Sequence, residues 1–271
     1  MGGPFIIKLI ATDMDGTLLN EAGQLPDGFI DLLNRLLQKN ICFVIASGRS
    51  YYDLKDFFKE ATPYLDFICD NGAFVVSRHH QRQMSLLEKK AIDDILLQCE
   101  SITHIKVILS GPNGMYATPC ENEFEEILAH YFSNIQVVSN LQDIHDPIHR
   151  ICICDLNHPL QNSYPILNNR FGSHFKVTLS GDIWLDITNL EVNKGNALSK
   201  IQSLLHINQD ETMVFGDYYN DIEMLKVAKY SFVMANANED MFSHGNYIAK
   251  SHNENGVCEA INEFIFKSKL K

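Results

Sequence analysis

Asp13 and Asp15 stand two positions apart at the end of an apolar run, in LIATDMDGTLLN over residues 9–20. Carboxylates that close repel one another, and such a pair at a strand end calls for a compensating cation or a chemical task. Other short apolar runs also end on polar groups. ICFVIA is followed by Ser47-Gly48-Arg49, and TMVF by Gly216-Asp217 and then Tyr218-Tyr219-Asn220-Asp221. Lys194-Gly195 opens a helical stretch. In a parallel sheet the carboxyl ends of the strands collect loops and functional groups along one edge. If these ends meet, three or four carboxylates, a hydroxyl and two cations share one site.

That many carboxylates stay ionised together only beside a counter-charge. A donor set made of oxygen, without paired His or Cys, selects a hard cation. Mg²⁺ fits best, because it takes few protein ligands and keeps its waters. With Lys194, Arg49 and Ser47 the ion makes a positive pocket suited to phosphate. One carboxylate beside a bound phosphoryl group can attack it. A second, two residues along, can protonate the leaving oxygen and later activate water.

The elements that must position these groups read from the hydrophobic pattern. Residues 5–12 form a short buried strand, 26–39 an amphipathic helix with Pro26 near its start, 41–47 a second buried strand and about 51–60 a helix. FICD (67–70) is a third strand, with Asn71-Gly72 turning into AFVVS (73–77). This alternation predicts a parallel sheet with helices on its faces. From about residue 80 the rhythm changes to helices at 85–100, 121–132 and 160–171, mixed with hairpin-like strands at 105–119, 135–139, 150–156 and 175–188. That mixture predicts an α+β module with an antiparallel sheet. The α/β rhythm returns with a helix over 194–205, strands at 212–217 and 230–237, a helix over 221–229, YIAKS and a terminal helix over 257–266. The expected division is one α/β domain from residues 1–82 and 190–271, interrupted by an insert over 83–189.

A chain of 271 residues with 45% hydrophobic and 21% charged residues can bury a full core. Its formal charge of −12 repels nucleic acid and anionic membranes, so neither is an expected partner. The first apolar stretch is far too short to span a bilayer and lacks a signal peptide's long apolar core; position six is Ile, not the Ser or Thr of a myristoylation signal. Seven cysteines without a CxxC read as reduced residues of a cytoplasmic protein, most of them in strand-like runs. Cys152 and Cys154 share one strand face and read as packing. Trp184 reads as core, Tyr218 and Tyr219 as loop packing, and His79-His80, His145 and His149 as surface.

DMDGT, SGR, an isolated Lys194 and GDxxND, in that order, resemble the four motifs of the haloacid dehalogenase superfamily of phosphatases. The insert between the second and third motifs resembles, in position and size, the type IIB cap of the Cof-type sugar-phosphatase branch. The resemblance implies a Rossmann-like α/β core with helices on both faces plus an inserted α+β cap domain. It further implies a Mg²⁺-dependent phosphatase of small phosphorylated metabolites working through an aspartyl-phosphate.

Carried over, the resemblance makes Asp13 the nucleophile and Asp15 the general acid/base. Asp13, the backbone carbonyl of Asp15 and Asp217 would hold the metal, with Asp221 helping through water. Thr17, Ser47, Gly48 and Lys194 would surround the phosphoryl group, and Asn220 would touch it. Arg49 and Asn71, the latter in CDNGA, would face the substrate, with Asp70 adding negative charge near the mouth. A phosphomutase of the same superfamily is the alternative, since an aspartyl-phosphate can pass its phosphoryl group to another hydroxyl. A receiver-type phosphoacceptor would be about half this length and without the insert. Dehalogenation would leave Asp15 and Asp217 idle.

Overall fold

The structure is a computed structural model that describes residues 7–77, 82–120, 122–132 and 134–267. His79-His80 and the first two residues of the strand expected over 5–12 lie outside these. The chain divides into two compact units. The first comprises Met1–Ser50, Phe57–Arg82 and Asn193–Lys271, the second Tyr51–Asp56 and Gln83–Val192.

In the first part of the chain β1 (Leu9–Asp13) leads to α1 (Phe29–Gln38), β2 (Cys42–Ala46), α2 (Tyr51–Phe58), β3 (Asp66–Cys69), β4 (Phe74–Val76) and β5 (Arg82–Met84). Phe29, Leu32, Leu33 and Leu36 are the buried stripe of α1, spaced to face the sheet. The middle of the chain forms α3 (Lys89–Cys99), β6 (Ile105–Gly111), β7 (Gly114–Ala117), α4 (Asn122–Tyr131), β8 (Ile135–Val137), β9 (Arg150–Asp155), α5 (Ser163–Phe171), β10 (Phe175–Leu179) and β11 (Trp184–Asn189). The last part adds α6 (Lys194–Leu205), β12 (Thr212–Gly216), α7 (Ile222–Lys226), β13 (Tyr230–Met234), β14 (Tyr247–Ala249) and α8 (Gly256–Ile261).

One eight-stranded sheet runs in the order β14-β13-β12-β1-β2-β3-β4-β5. Its pairings from β14 through β3 are parallel, as the alternation predicted. The exception is β4, which pairs antiparallel with β3 because the tight turn at Asp70–Gly72 leaves no room for a crossover. β1 lies between β12 and β2, with Thr12 opposite Phe215 and Asp13 opposite Ala46. The carboxyl ends that carry Asp13, Ser47 and Asp217 therefore lie side by side.

The second sheet, β10-β11-β9-β6-β7-β8, is antiparallel except for the parallel pair β7 and β8. α3 and α5 pack on one face, around Ile95, Leu167, Ile151 and Ile187. On the other, Leu128 of α4 packs with Ile108, Cys152, Cys154 and Trp184. Cys152 and Cys154 thus serve packing, and the Trp184 ring is buried edge-on against Tyr131 and Phe132.

Several boundaries differ from the sequence expectation. α3 starts at Lys89 rather than 85, because the Leu87 N–H is taken by the Ile148 carbonyl at 2.8 Å, which keeps that stretch extended. The terminal helix is split: α8 ends at Ile261 and a wider, π-type turn continues over Asn262–Lys267. His149 is buried at 1% exposure, not at the surface. No helix among the described residues is long and apolar enough to cross a membrane.

Candidate active site

All five residues of β1 are buried, and the chain leaves it through a wide turn over Met14–Leu18. Inside this turn Asp15 is extended and Gly16 adopts φ +80°. A Cβ on Gly16 would overlap the Asp217 carboxylate, so this position takes only glycine without strain and collision. The turn sends the two carboxylates in different directions. Asp13 is 7% exposed, whereas the Asp15 side chain is 56% exposed.

Asp15 meets Arg49 in a two-pronged ion pair. Arg49 Nη2 donates to Oδ1 at 2.6 Å and Nε to Oδ2 at 3.0 Å. Arg49 is placed by the turn after β2, where its own N–H donates to Ser47 Oγ at 3.1 Å. The neighbouring turn locks onto this one: Asn71 N–H donates to the Ser47 carbonyl and Asp70 N–H to the Arg49 carbonyl, both at 3.0 Å. Asp70 and Asn71 both adopt left-handed backbone, φ 50° and 55°. Asp70, which the sequence reading puts near the mouth, is only 2% exposed. Gly48 lies against Asn71, whose amide nitrogen would be 3.2 Å from a Cβ there.

Lys194 is the first residue of α6, just after Asn193, whose side chain accepts the Asn196 N–H at 2.7 Å as a helix cap. Its side chain is fully buried. The ammonium donates to Asp13 Oδ1 at 2.6 Å and to Asp221 Oδ1 at 2.7 Å. Asp221 Oδ2 accepts the backbone N–H groups of Asp217 and Tyr218, at 3.0 and 3.2 Å. Gly216 permits this, since a Cβ there would be 2.5 Å from Asp221 Cβ. Thr17 is buried and donates its hydroxyl to Asp217 Oδ1 at 2.6 Å. Asn220 donates to Asn71 Oδ1 at 3.0 Å.

Sequence reasoning missed Asn236. Its Nδ2 donates to the Gly16 carbonyl at 2.8 Å and its Oδ1 accepts the His252 N–H at 3.0 Å, tying the Asp-bearing turn to the loop after β13. The available signal was a polar residue near the end of the strand expected over 230–237; the structure ends that strand at Met234 and leaves Asn236 just beyond it, at the same sheet edge as the other motifs.

Carboxylate oxygens of Asp13, Asp217 and Asp221 lie within 4.8 Å of one another. Burial pushes the Asp13 carboxyl well above its ordinary range; the Lys194 ammonium opposes that shift, and Asp221 and Asp217 add to it. Asp217 is raised by burial and by Asp221, against the hydrogen bond from Thr17. Burial works against the charge on Lys194, but Asp13 and Asp221 outweigh it and hold the ammonium above its ordinary range. One ammonium thus faces three carboxylates, and this shortage of positive charge together with an all-oxygen donor set fits a hard divalent cation. Asp13 and Asp217 are the better placed to hold it. Asp221 has one oxygen on two backbone N–H groups and the other on Lys194.

Residues 10–261 match the family of haloacid dehalogenase-like hydrolases. The chain is 30% identical over 261 residues to the 5-amino-6-(5-phospho-D-ribitylamino)uracil phosphatase YbjI of Escherichia coli (strain K12), covering 96% of each chain. It is 28% identical to the HMP-PP phosphatase of Enterobacter sp. (strain 638), over 85% of each chain. A crystal structure from Streptococcus mutans UA159 superposes with a TM-score of 0.82 at 30% identity, covering 96% of this chain and 99% of that one. This chain belongs to the haloacid dehalogenase-like hydrolases and is an enzyme of their Cof-type phosphatase branch.

Proposed function

We propose that the chain is a Mg²⁺-dependent phosphomonoester hydrolase of small phosphorylated metabolites, with Asp13 as nucleophile and Asp15 as general acid/base. One observation carries the reading. Of two carboxylates two residues apart, one is buried on a lysine ammonium and the other is exposed on an arginine. A buried carboxylate bound at one oxygen presents the other in a fixed direction, as a nucleophile must. An exposed carboxyl on a turn can reach a leaving group and exchange protons with water.

In the first step an Asp13 oxygen forms a bond to phosphorus. The bond from phosphorus to the ester oxygen breaks, and that oxygen leaves with the electron pair and takes the proton of the Asp15 carboxyl. In the second step water attacks phosphorus while Asp15 takes its proton. The bond between phosphorus and Asp13 breaks, which returns the carboxylate and releases phosphate. Lys194 holds Asp13 in place through both steps, and Thr17 holds Asp217. Ser47, Gly48 and Arg49 face the phosphoryl oxygens. Asp13, Asp217 and the Asp15 carbonyl, with Asp221 supporting, would hold a Mg²⁺ ion, whose positive charge would offset the dianion.

The names of the Escherichia and Enterobacter relatives support a phosphorylated metabolite as substrate. The test is turnover of an aryl phosphate by Asp13→Asn and Asp15→Asn. Asp13→Asn should abolish phosphate release, and Asp15→Asn should lower it by about 10²- to 10⁴-fold. Undiminished turnover by Asp13→Asn would refute the nucleophile assignment.

A further inference from the structure

The loop after β13 touches both turns that carry the carboxylate cluster. β13 pairs with β12, and β12 with β1. Asn236 in this loop therefore reaches past the neighbouring strand to the turn after β1, a contact 220 residues apart in sequence. Further along, the Asp240 carboxylate accepts the Tyr219 hydroxyl at 3.0 and 3.2 Å, which ties the loop to the turn after β12. Tyr218 and Tyr219 themselves are exposed rather than packed, at 55% and 44%, which corrects the expectation that they fill their loop.

Asn236 grips the Asp-bearing turn at its most pliable point. On one side of Asp15, Asp13 ends a buried strand and the Met14 side chain is fully buried. On the other side stands Gly16, at φ +80°, with no side chain to hold its torsions. Its carbonyl accepts Asn236 Nδ2 at 2.8 Å, and that bond sets the direction of the peptide. Asn236 is itself held, since its Oδ1 accepts the His252 N–H at 3.0 Å. His252 opens a short turn in which Asn253 Oδ1 accepts the Glu21 N–H at 2.9 Å, a second grip on the segment after β1.

Asp15 lies between these fixed points, with its carboxylate on Arg49. A phosphoryl group that draws Arg49 away would leave Asp15 aimed by its backbone. An exposed hydrogen bond such as that of Asn236 adds little to the stability of a fold. Its worth is direction, because a reacting group displaced by an ångström loses much of its rate. Resting on the hydrolase reading above, we infer that Asn236 is a positioning residue that acts through the Gly16 carbonyl and aims the Asp15 carboxyl at the leaving oxygen.

The test compares p-nitrophenyl phosphate with phenyl phosphate. Nitrophenolate departs readily without a proton, whereas the more basic phenolate depends on the acid. The readout is the ratio of the two kcat/KM values, nitrophenyl over phenyl, within each variant, so that any loss of folded enzyme cancels. Asp15→Asn should raise the ratio and sets its upper limit. Asn236→Leu should raise it about fivefold, the worth of one hydrogen bond, with a urea midpoint close to that of the wild type. Asn236→Asp keeps the acceptor for His252 but loses the donor to Gly16, and it should raise the ratio as much. A wild-type ratio in Asn236→Leu, while Asp15→Asn raises it, overturns the inference and leaves the hydrolase reading standing. So does a wild-type ratio in Asn236→Asp, which would assign the effect to the His252 contact. If Asp15→Asn leaves the ratio unchanged, the reading of Asp15 as the acid fails and this inference with it. If the wild type releases phosphate from neither ester, the hydrolase reading itself fails.

Discussion

Arg49 holds the Asp15 carboxylate with two hydrogen bonds, 2.6 Å from Nη2 and 3.0 Å from Nε. The contact spans 34 residues and joins the turns after two adjacent strands. A guanidinium forks onto a phosphate as readily as onto a carboxylate. On the proposed mechanism an incoming phosphate ester would compete for Arg49, and winning it would free Asp15 to approach the leaving oxygen.

Replacing Arg49 would remove this competition and the proposed phosphate contact together. Arg49→Gln should raise KM for an aryl phosphate by roughly tenfold or more, the worth of a charge-assisted hydrogen bond. Arg49→Lys should recover part of the loss, since its point charge attracts the dianion but cannot fork. Steady-state kinetics separates the two roles. An unchanged KM with a fall confined to kcat would mean that Arg49 serves Asp15 alone.

Lys194 is the one cation inside the carboxylate cluster among the described residues, with no exposed surface. Lys194→Met keeps much of the volume but leaves Asp13 and Asp221 without their partner. Breaking a buried ion pair in this way costs about 3–5 kcal/mol. The urea midpoint should fall accordingly. Added Mg²⁺ should then raise the melting temperature more in the variant than in the wild type, because a bound divalent ion supplies the missing charge. An equal or smaller rise in the variant would speak against the ion sharing that cluster.

Gly16 couples backbone geometry to Asp217. Gly16→Ala forces a side chain into left-handed backbone, at a cost of about 1–2 kcal/mol, and into the Asp217 carboxylate. The fold should survive, as far-UV circular dichroism would show. Activity should drop by about 100-fold, the order of loss that follows from displacing a reacting group by an ångström. Activity within a few-fold of the wild type would show that the turn relaxes without disturbing Asp13.

The sheet edge was legible because β1, β2 and β12 are short, wholly buried and mainly apolar runs ending abruptly on Asp13, Ser47 and Gly216-Asp217. Strand ends of that kind can be read one at a time, and the parallel rule places them together. The partners of Lys194 were not legible, since Asp13 lies 181 residues away and a lysine at a helix start is usually solvated. Nor was the commitment of Thr17 to Asp217, which depends on the register of β1 against β12. Asn236 carried no motif at all. The exposure of Tyr218 and Tyr219 was misread because a tyrosine pair in a tight loop has the composition of packing, and only the anchoring bonds of the loop show that the rings point outward.

Burial also leaves a mark on two thiols that the proposed chemistry does not use. Cys99 and Cys258 are 5% and 8% exposed, and burial pushes them up to about 12 and about 11 from an ordinary value of 9.0. Both are therefore neutral in the folded protein at pH 10, whereas in the unfolded chain most such thiols have ionised. The unfolded state then binds fewer protons than the folded one, so stability falls as pH rises above 9 and levels off only beyond the folded values. Between pH 8 and pH 10 each thiol should withdraw about 1 kcal/mol. Urea unfolding at the two pH values measures the decline, and the double variant Cys99→Ala, Cys258→Ala isolates the thiols from the tyrosines that titrate in the same range. The variant starts from a lower stability at pH 8 because its core is less filled, but it should lose about 2 kcal/mol less on going to pH 10. Parallel declines in variant and wild type would show that these two thiols ionise as easily in the folded protein as in the unfolded chain.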